Sequence, residues 1–225
     1  KKLEIAFREI TREAIDAIAR RGEADFVEEV AVPLPLSLIA EMIGIRKQDR
    51  AIFHQWSDAM IRGDGNQGDP AIMAAAGQAF VAYSTYVREI IEDRRKNPQD
   101  DLVSILVGAK DAGLLTTFGQ EGREGMQEGQ LDLANDELIM LLVILLVAGN
   151  ETTRNGLSGG MQLLIEHPEE RQKLIDDPKR IPAACEEMVR LVSPVHSFAR
   201  TATEDTELRG TRIRAGDRVL MLYPS

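Results

Sequence analysis

Residues 138–155, LIMLLVILLVAGNETTRN, decide the fold class and contain the sharpest irregularity of the chain. The first eleven residues of this stretch are all apolar, and a helix of that length spans roughly 16 Å, about half of a bilayer core. The stretch therefore predicts a buried core helix, running from Asn135 to about His167, and no membrane span. A glycine and two adjacent threonines follow the apolar run, and all three are poor helix formers.

An apolar stripe on one face of this helix leads to a hydroxyl group. At 100° per residue, Leu141, Leu145, Ala148 and Thr152 share one face, and Gly149 lies at its edge. One interpretation is a helix that simply leaves the core. The other is a helix that passes over a reactive centre, where glycine gives room, the hydroxyl binds a small ligand and a neighbouring acid supplies protons. The helix alone does not decide between them.

Composition and charge narrow the class of protein. The chain has 225 residues, enough to bury a core without cross-links, and its net charge of −10 argues against a nucleic-acid partner. A single cysteine excludes an intramolecular disulfide framework and favours a reducing compartment. The N-terminal stretch KKLEIAFREITREAIDAIARR has no apolar signal-peptide core. We therefore expect a cytoplasmic protein without a membrane span.

Apolar periodicity and the placement of proline and glycine predict the remaining elements. Helices are expected at about 3–21, 33–44, 47–62, 70–96, 100–109, 168–176 and 181–192, besides the long one. Residues 116–130 predict an irregular loop or a ragged hairpin, and the segment after Pro194 predicts short antiparallel strands. The expected fold is mainly α (α+β), a single domain over 1–225 that is helical in 1–192 and β-rich in 193–225.

Four blocks of sequence, in order along the chain, resemble the cytochrome P-450 family of heme-thiolate monooxygenases. Residues 148–153, AGNETT, resemble its oxygen-activation signature, and residues 187–190, EMVR, resemble its Glu-x-x-Arg helix. Residues 193–202, SPVHSFARTA, resemble its substrate-contacting turn and heme-propionate strand. Residues 25–45 resemble a stretch typical of soluble bacterial members. The resemblance implies that family's helical fold, with a small antiparallel β region at the C-terminal end and incomplete in this chain.

The resemblance implies catalytic and cofactor roles for four residues of the long helix and one residue beyond it. Gly149 would leave space for dioxygen, Thr152 would hydrogen-bond the oxygen being activated, and Glu151 would help to deliver protons. The cofactor would be heme b. Its contacts would be Ala148, Gly149, Thr152 and Arg200, the last through a charge-assisted bond to a propionate.

The resemblance also implies a structural pair and a substrate pocket. Glu187 and Arg190 would form a buried ion pair that holds the heme-binding core together. The residues implied to line the substrate side are Leu145, Ala148, Val195, His196 and Phe198.

The family's iron ligand is a cysteine in a loop well beyond the Glu-x-x-Arg helix, and we expect that Cys185 is not that ligand. It lies on the stripe formed with Ile181, Met188 and Val192, where a small buried hydrophobe fits. The sequence is accordingly interpreted as an interior fragment that lacks the N-terminal part and the ligand loop of the fold. With no iron ligand identified, the chain alone is not expected to hold heme.

The function implied is a heme-dependent monooxygenase that uses dioxygen and hydroxylates a hydrophobic substrate such as a steroid, a fatty acid or a terpenoid. Its electrons would come from a ferredoxin and a ferredoxin reductase. The alternatives are a non-enzymatic helical domain for hydrophobic-ligand binding or interaction, and an inactive fragment. A metal hydrolase is disfavoured because His54, His167 and His196 are far apart in sequence.

Overall fold

The computed structural model describes residues 2–66, 68–112 and 135–224. In these ranges the chain is mainly helical, with short antiparallel strands after Val192, which confirms the predicted mainly α (α+β) fold. The loop or hairpin predicted at 116–130 lies outside the described residues. The chain divides into two compact units, Lys1–Glu151 and Thr152–Ser225, and the division falls inside the long helix.

The first unit contains five complete helices among its described residues and the first half of a sixth. Their bounds are α1 Lys2–Ala19, α2 Pro33–Ile43, α3 Arg50–Gly65, α4 Pro70–Lys96, α5 Leu102–Asp111 and α6 Asn135–Glu166. A π-helical turn at Val27–Ala31 precedes α2, and a 3-10 turn at Lys47–Asp49 precedes α3. None of these described helices, nor those of the second unit, is long and apolar enough to cross a membrane.

Local capping chemistry sets several of these helix ends. The Asp69 carboxylate accepts hydrogen bonds from the amides of Ala71 and Ile72, directly before Pro70 begins α4. Gly44 ends α2 with φ at +81°, a left-handed conformation that favours glycine. A Cβ at Gly44 would stand 2.6 Å from Arg94 Nη2 and 2.7 Å from Asp101 Oδ2, so the position lacks room as well. The predicted starts and ends at Pro70 and Gly44 are confirmed.

The core of the first unit is built on the buried face of α6. Leu138, Leu142 and Leu146 follow one another at four-residue intervals and are fully buried. The other buried apolar residues around them are Leu36, Ile39, Ala40, Ile43, Ile45, Phe53, Tyr83, Val87, Ile91, Val103, Val107, Ile139 and Val143. The Tyr83 hydroxyl donates a hydrogen bond to the main-chain carbonyl of Leu142 at 3.0 Å, and its burial raises its pKa well above the ordinary value.

The second unit combines the end of α6 with short helices and two strand pairs. Its elements are α7 Pro168–Asp176, a 3-10 turn Pro178–Arg180, α8 Ile181–Val192, β1 Ser197–Thr201, β2 Thr206–Leu208, β3 Thr211–Ile213 and β4 Arg218–Leu222. Strand β1 pairs antiparallel with β4, with Ala199 opposite Leu220, and β2 pairs antiparallel with β3. Close packing joins α8 to α6, because a Cβ at Gly159 would lie 2.6 Å from Val192 Cγ1.

Candidate functional site

The fully buried residues of α6 follow a stripe that differs from the one predicted to be functional. The buried face continues from Leu146 to Asn150, which is fully buried. At 100° per residue, Thr152 and Ala148 lie about 160° from Asn150 around the helix axis. Thr152 is half-buried and Ala148 is exposed, as expected for a face that is open to a ligand. The predicted stripe is therefore open only toward its C-terminal end, because the half-buried Leu141 and Leu145 pack against the core of the first unit.

Asn150 extends the apolar buried face with a polar anchor. Its Nδ2 donates a hydrogen bond to Ser57 Oγ on α3 at 2.9 Å, and both side chains are fully buried. The other end of the amide, Oδ1, is buried without a hydrogen-bond partner among the described residues. The sequence interpretation missed both residues. The available signal was the four-residue spacing of Leu138, Leu142, Leu146 and Asn150, which places the amide on the core face.

Gly149 brings α6 close to α2. A Cβ at this position would lie 3.2 Å from Ile39 Cδ1, closer than an ordinary contact, although Ile39 is a flexible side chain that can give way. The glycine thus has a packing reason to be here. Its predicted role of leaving space for dioxygen stays a prediction.

Glu151 and Thr152 follow Asn150 directly on the same helix. Both side chains are half-buried, and both take part in further interactions within the structure. Glu151 lies about 100° around the helix from Asn150 and again from Thr152, so it stands between the buried face and the open face. This position suits a carboxylate that takes protons from one side of a helix and releases them at the other.

Glu187 and Arg190 on α8 form the expected pair, but in a different environment. Arg190 Nε and Nη2 donate to the two carboxylate oxygens at 2.8 and 2.6 Å, and this bidentate contact holds the pKa of Glu187 below its usual range. The side chains of Arg190 and Glu187 are 66% and 55% exposed. The prediction of burial is wrong for the described residues, because the face of α8 that packs on α6 carries Met188 and Val192 instead.

A strained turn leads from α8 into β1. Ser193 ends α8 at φ +43°, a conformation that few residues other than glycine adopt, and its hydroxyl donates to the carbonyl of Arg190 at 3.0 Å. The turn is followed by Val195, which is half-buried, and by His196, which is exposed. Main-chain pairing of His196 with Tyr223, at 3.0 Å, ties the end of this turn to the segment after β4.

Arg200 and Phe198 project from the same side of β1. Successive strand residues alternate between faces, so residues two apart lie together, and the Arg200 guanidinium is 5.8 Å from the Phe198 ring centroid. Phe198 also meets Tyr223 edge to face, with 6.2 Å between ring centroids. Both Arg200 and Phe198 are exposed, which leaves a cation and an aromatic ring available to a ligand.

Several described residues have side chains of a kind that suits a heme, each taken by itself. In α6, Ala148, Gly149 and Thr152 have small or short side chains, as a helix that passes close to a flat ring requires. Separately, in the second unit, the exposed Arg200 is a cation that could pair with a propionate. The described residues contain one cysteine, Cys185, which the sequence does not indicate as the iron ligand. No group of three or more metal-binding side chains occurs among them, and Cys185 is exposed on α8. The prediction that Cys185 is buried is wrong, since it is exposed although Met188 and Val192 of the same stripe pack on α6.

The chain belongs to the cytochrome P-450 family. The sequence profile of that family matches residues 70–225, a range that includes α6, α8 and β1. Family membership confirms the resemblance seen in the sequence, marks the chain as part of an enzyme of the cytochrome P-450 type and implies heme b as its cofactor. The contact residues described above fit the surroundings of that group.

Curated relatives and solved structures agree with this assignment. A steroid C26-monooxygenase of Mycolicibacterium smegmatis is 36% identical over 94% of the chain and 48% of its own length. The CYP109B1 structure from Bacillus subtilis has a TM-score of 0.83 at 31% identity, over 100% of this chain and 57% of that one. CYP109E1 from Bacillus megaterium, solved with testosterone, has a TM-score of 0.81 at 27% identity, over 99% of this chain and 55% of that one. The chain spans about half the length of the curated relatives it matches.

Proposed function

We propose that the full-length gene product carrying this sequence is a heme-dependent monooxygenase that inserts one oxygen atom of dioxygen into a hydrophobic substrate. The observation that carries the proposal is the arrangement of α6 in a member of this family. Ala148 and Thr152 form a partly open face at the end of the stripe of Leu141 and Leu145, and the Glu151 carboxylate lies beside it.

Each residue of the proposed site has a distinct task. Bound heme would supply the iron at which dioxygen is activated. Ala148 and Gly149 have little or no side chain, so the cofactor could approach the main chain of α6 closely. Arg200 would neutralise a propionate. Thr152 donates its hydroxyl to the reacting oxygen, and Glu151 supplies the proton that Thr152 passes on.

A hydrophobic substrate is supported by apolar side chains of α6 and, separately, by one of the second unit. Leu141 and Leu145 are half-buried on α6, and Phe198 exposes an aromatic ring on β1. A steroid is the substrate class we propose, supported by the steroid C26-monooxygenases among the relatives and by the testosterone complex of a structural neighbour. Val195 and His196, on the turn before β1, would add contacts to that substrate.

The partners and the location follow from the proposed reaction. Electrons would come from a ferredoxin and its reductase, the redox partners that the family resemblance implies. A cytoplasmic location is part of the proposal and is supported by the single cysteine, Cys185, which forms no disulfide.

The test is the absorption spectrum of the purified full-length gene product, reduced under carbon monoxide. We expect the spectrum of a thiolate-ligated heme, and we expect the 225-residue chain alone not to give it. A full-length product that purifies without heme, even when heme is supplied during expression, would overturn the proposal in favour of a non-enzymatic helical domain.

The substrate class is tested separately by optical titration of the heme-loaded protein. Testosterone and hexadec-9Z-enoic acid serve as the two probes. Testosterone is found in a complex of one structural neighbour, and the fatty acid, ligated to acyl carrier protein, in a complex of another. Tighter binding of testosterone supports a steroid substrate. Tighter binding of the fatty acid would replace the steroid proposal and leave the monooxygenase proposal intact.

A further inference from the structure

Asn150 is a buried polar residue of the signature segment for which the proposed function has no task. Its amide lies where the stripe of Leu138, Leu142 and Leu146 would accept another leucine. An amide there leaves Oδ1 buried without a hydrogen-bond partner among the described residues, which costs free energy that an apolar side chain would not. A feature that lowers stability inside a functional segment calls for a reason other than stability.

The hydrogen bond to Ser57 controls the rotation of α6 about its own axis. An apolar stripe packs acceptably over a range of small rotations, because hydrophobic contact is not directional. A hydrogen bond of 2.9 Å between two fully buried groups is restricted in both distance and angle. Ser57 lies in α3, 93 residues away in sequence, so the bond sets α6 against a separate helix.

A second polar contact restrains α6 two turns earlier. The Tyr83 hydroxyl of α4 donates to the carbonyl of Leu142 at 3.0 Å, and both residues are fully buried. Tyr83 therefore restrains the main chain of α6 near Leu142, and a second restraint is needed to hold the helix where the signature segment begins. Asn150 binds through its side chain, one residue before Glu151 and two before Thr152.

We propose that the Ser57–Asn150 hydrogen bond is a positioning contact that sets the direction of Thr152 and Glu151 toward the reacting centre. Thr152 lies about 160° around the helix from Asn150, so a rotation that breaks the bond on one side displaces the threonine hydroxyl on the other. The inference rests on the proposed function. It adds a residue on α3 to the groups that determine how the open face of α6 meets its ligand.

The test uses imidazole as a probe of the heme face assigned to Thr152, in the heme-loaded full-length protein. Four variants are compared: Ser57→Ala, Ser57→Cys, Asn150→Ala and the double variant Ser57→Ala/Asn150→Ala. We expect each to change the imidazole dissociation constant by about fivefold, the range expected for one lost hydrogen bond, at unchanged heme content. The double variant should show no larger change than the single ones, because both singles remove the same bond.

Two further variants separate positioning from general stability. Ser57→Thr keeps the hydroxyl and should retain the imidazole affinity of the unmodified protein. Ser84→Ala is the matched control, because Ser84 Oγ is also buried but has no hydrogen-bond partner among the described residues. It should leave the imidazole affinity unchanged. Ser57→Cys keeps the side-chain volume with a weakly accepting sulfur, so it provides folded protein even if the alanine variant does not.

The results of this experiment distinguish a failure of the proposed function from a failure of this inference. An unmodified protein without heme overturns the proposed function and this inference together. A heme-loaded protein whose imidazole affinity is the same in Ser57→Ala or Ser57→Cys as in the unmodified protein overturns this inference alone. Additive effects of the two alanine substitutions would also overturn it, since the residues would then act independently.

Discussion

Arg94 and Asp101 form a buried ion pair between the C-terminal turn of α4 and the N-terminus of α5. Arg94 Nε donates to Asp101 Oδ2 at 2.6 Å, and the two side chains are 9% and 6% exposed. The other carboxylate oxygen of Asp101 accepts from the amide of Ser104 at 2.8 Å and so caps α5. Arg94 also donates to the carbonyl of Gly44 at the end of α2, at 3.5 Å. One ion pair therefore connects three helices of the first unit.

The Asp101→Asn variant should lose about 1.5–3 kcal/mol of unfolding free energy, because it removes the more buried of the two carboxylates that pair with Arg94 and leaves the half-exposed Asp93 as its counter-ion. Because asparagine can still cap α5, the measured loss of stability reports the charge of Asp101 and not its capping role. Denaturant unfolding followed by fluorescence of Trp56, the single tryptophan, measures the change in the first unit. Glu4→Gln, which removes an exposed pair with Arg8, is the control and should have no measurable effect. Equal unfolding midpoints for both variants would contradict the role of the buried pair.

Gly63 permits the close crossing of α3 and α4. A Cβ at Gly63 would lie 2.5 Å from the Cβ of Ala76, so Gly63→Ala must push the helices apart and should cost about 1–3 kcal/mol. Gly77→Ala is the matched control on α4, because a Cβ there meets nothing within 4 Å. It should raise stability by about 0.5–1 kcal/mol through helix propensity. Thermal unfolding of the two variants should therefore shift in opposite directions, and a shift in the same direction would count against the close crossing.

Protonation of His54 makes the stability of the first unit depend on pH. Burial on α3 lowers its pKa, Asp58 opposes the shift and Arg50 adds to it. A histidine with a lowered pKa binds more protons when unfolded, so its contribution to stability is complete above about pH 6.5 and is lost as the pH falls below that value. In His54→Gln, the unfolding free energy should fall less than in the unmodified protein as the pH is lowered from 7 to below about 6.5. The exposed His167, replaced in the same way, should leave the Trp56 unfolding profile unchanged; an unchanged profile in His54→Gln would refute the assignment.

Thr152→Ala in the full-length, heme-loaded protein should reduce product formation by roughly a hundredfold while oxygen consumption continues, because the hydroxyl that passes protons is gone. The comparison is Thr153→Ala, which changes an exposed neighbour on the same helix. Oxygen uptake, peroxide release and product are measured together with a surrogate ferredoxin system. A normal ratio of product to oxygen in Thr152→Ala would remove Thr152 from the proposed relay.

Elements bounded by proline, glycine and capping residues were predictable from the sequence, because those signals act over a few residues. Helix α4 runs from Pro70 to Lys96, as predicted, with Asp69 as its cap. The long helix α6 also agrees to within a residue of its predicted bounds. Local chemistry specifies where a helix starts and stops, so these elements did not depend on the rest of the fold.

The contacts between distant segments were not predictable in the same way. Ser57 meets Asn150 across 93 residues, and nothing local to either residue specifies how α3 and α6 are aligned. The environment of α8 was misjudged for a related reason. Its apolar stripe predicted burial for Cys185. In the described part of the chain α6 packs on Met188 and Val192 of that stripe and leaves Cys185 exposed, and periodicity does not reveal how much of a stripe a neighbour covers.

Gly22 and Gly44 have nearly the same backbone conformation, with φ of +79° and +81°, yet they differ in how freely they can be replaced. A side chain at Gly22 meets nothing within 4 Å, so asparagine, which tolerates left-handed backbone, can substitute there. At Gly44 the guanidinium of Arg94 and the carboxylate of Asp101 already occupy the space. In a saturation-mutagenesis library, position 22 should accept asparagine and aspartate, whereas position 44 should accept glycine alone as long as the ion pair beside it is kept.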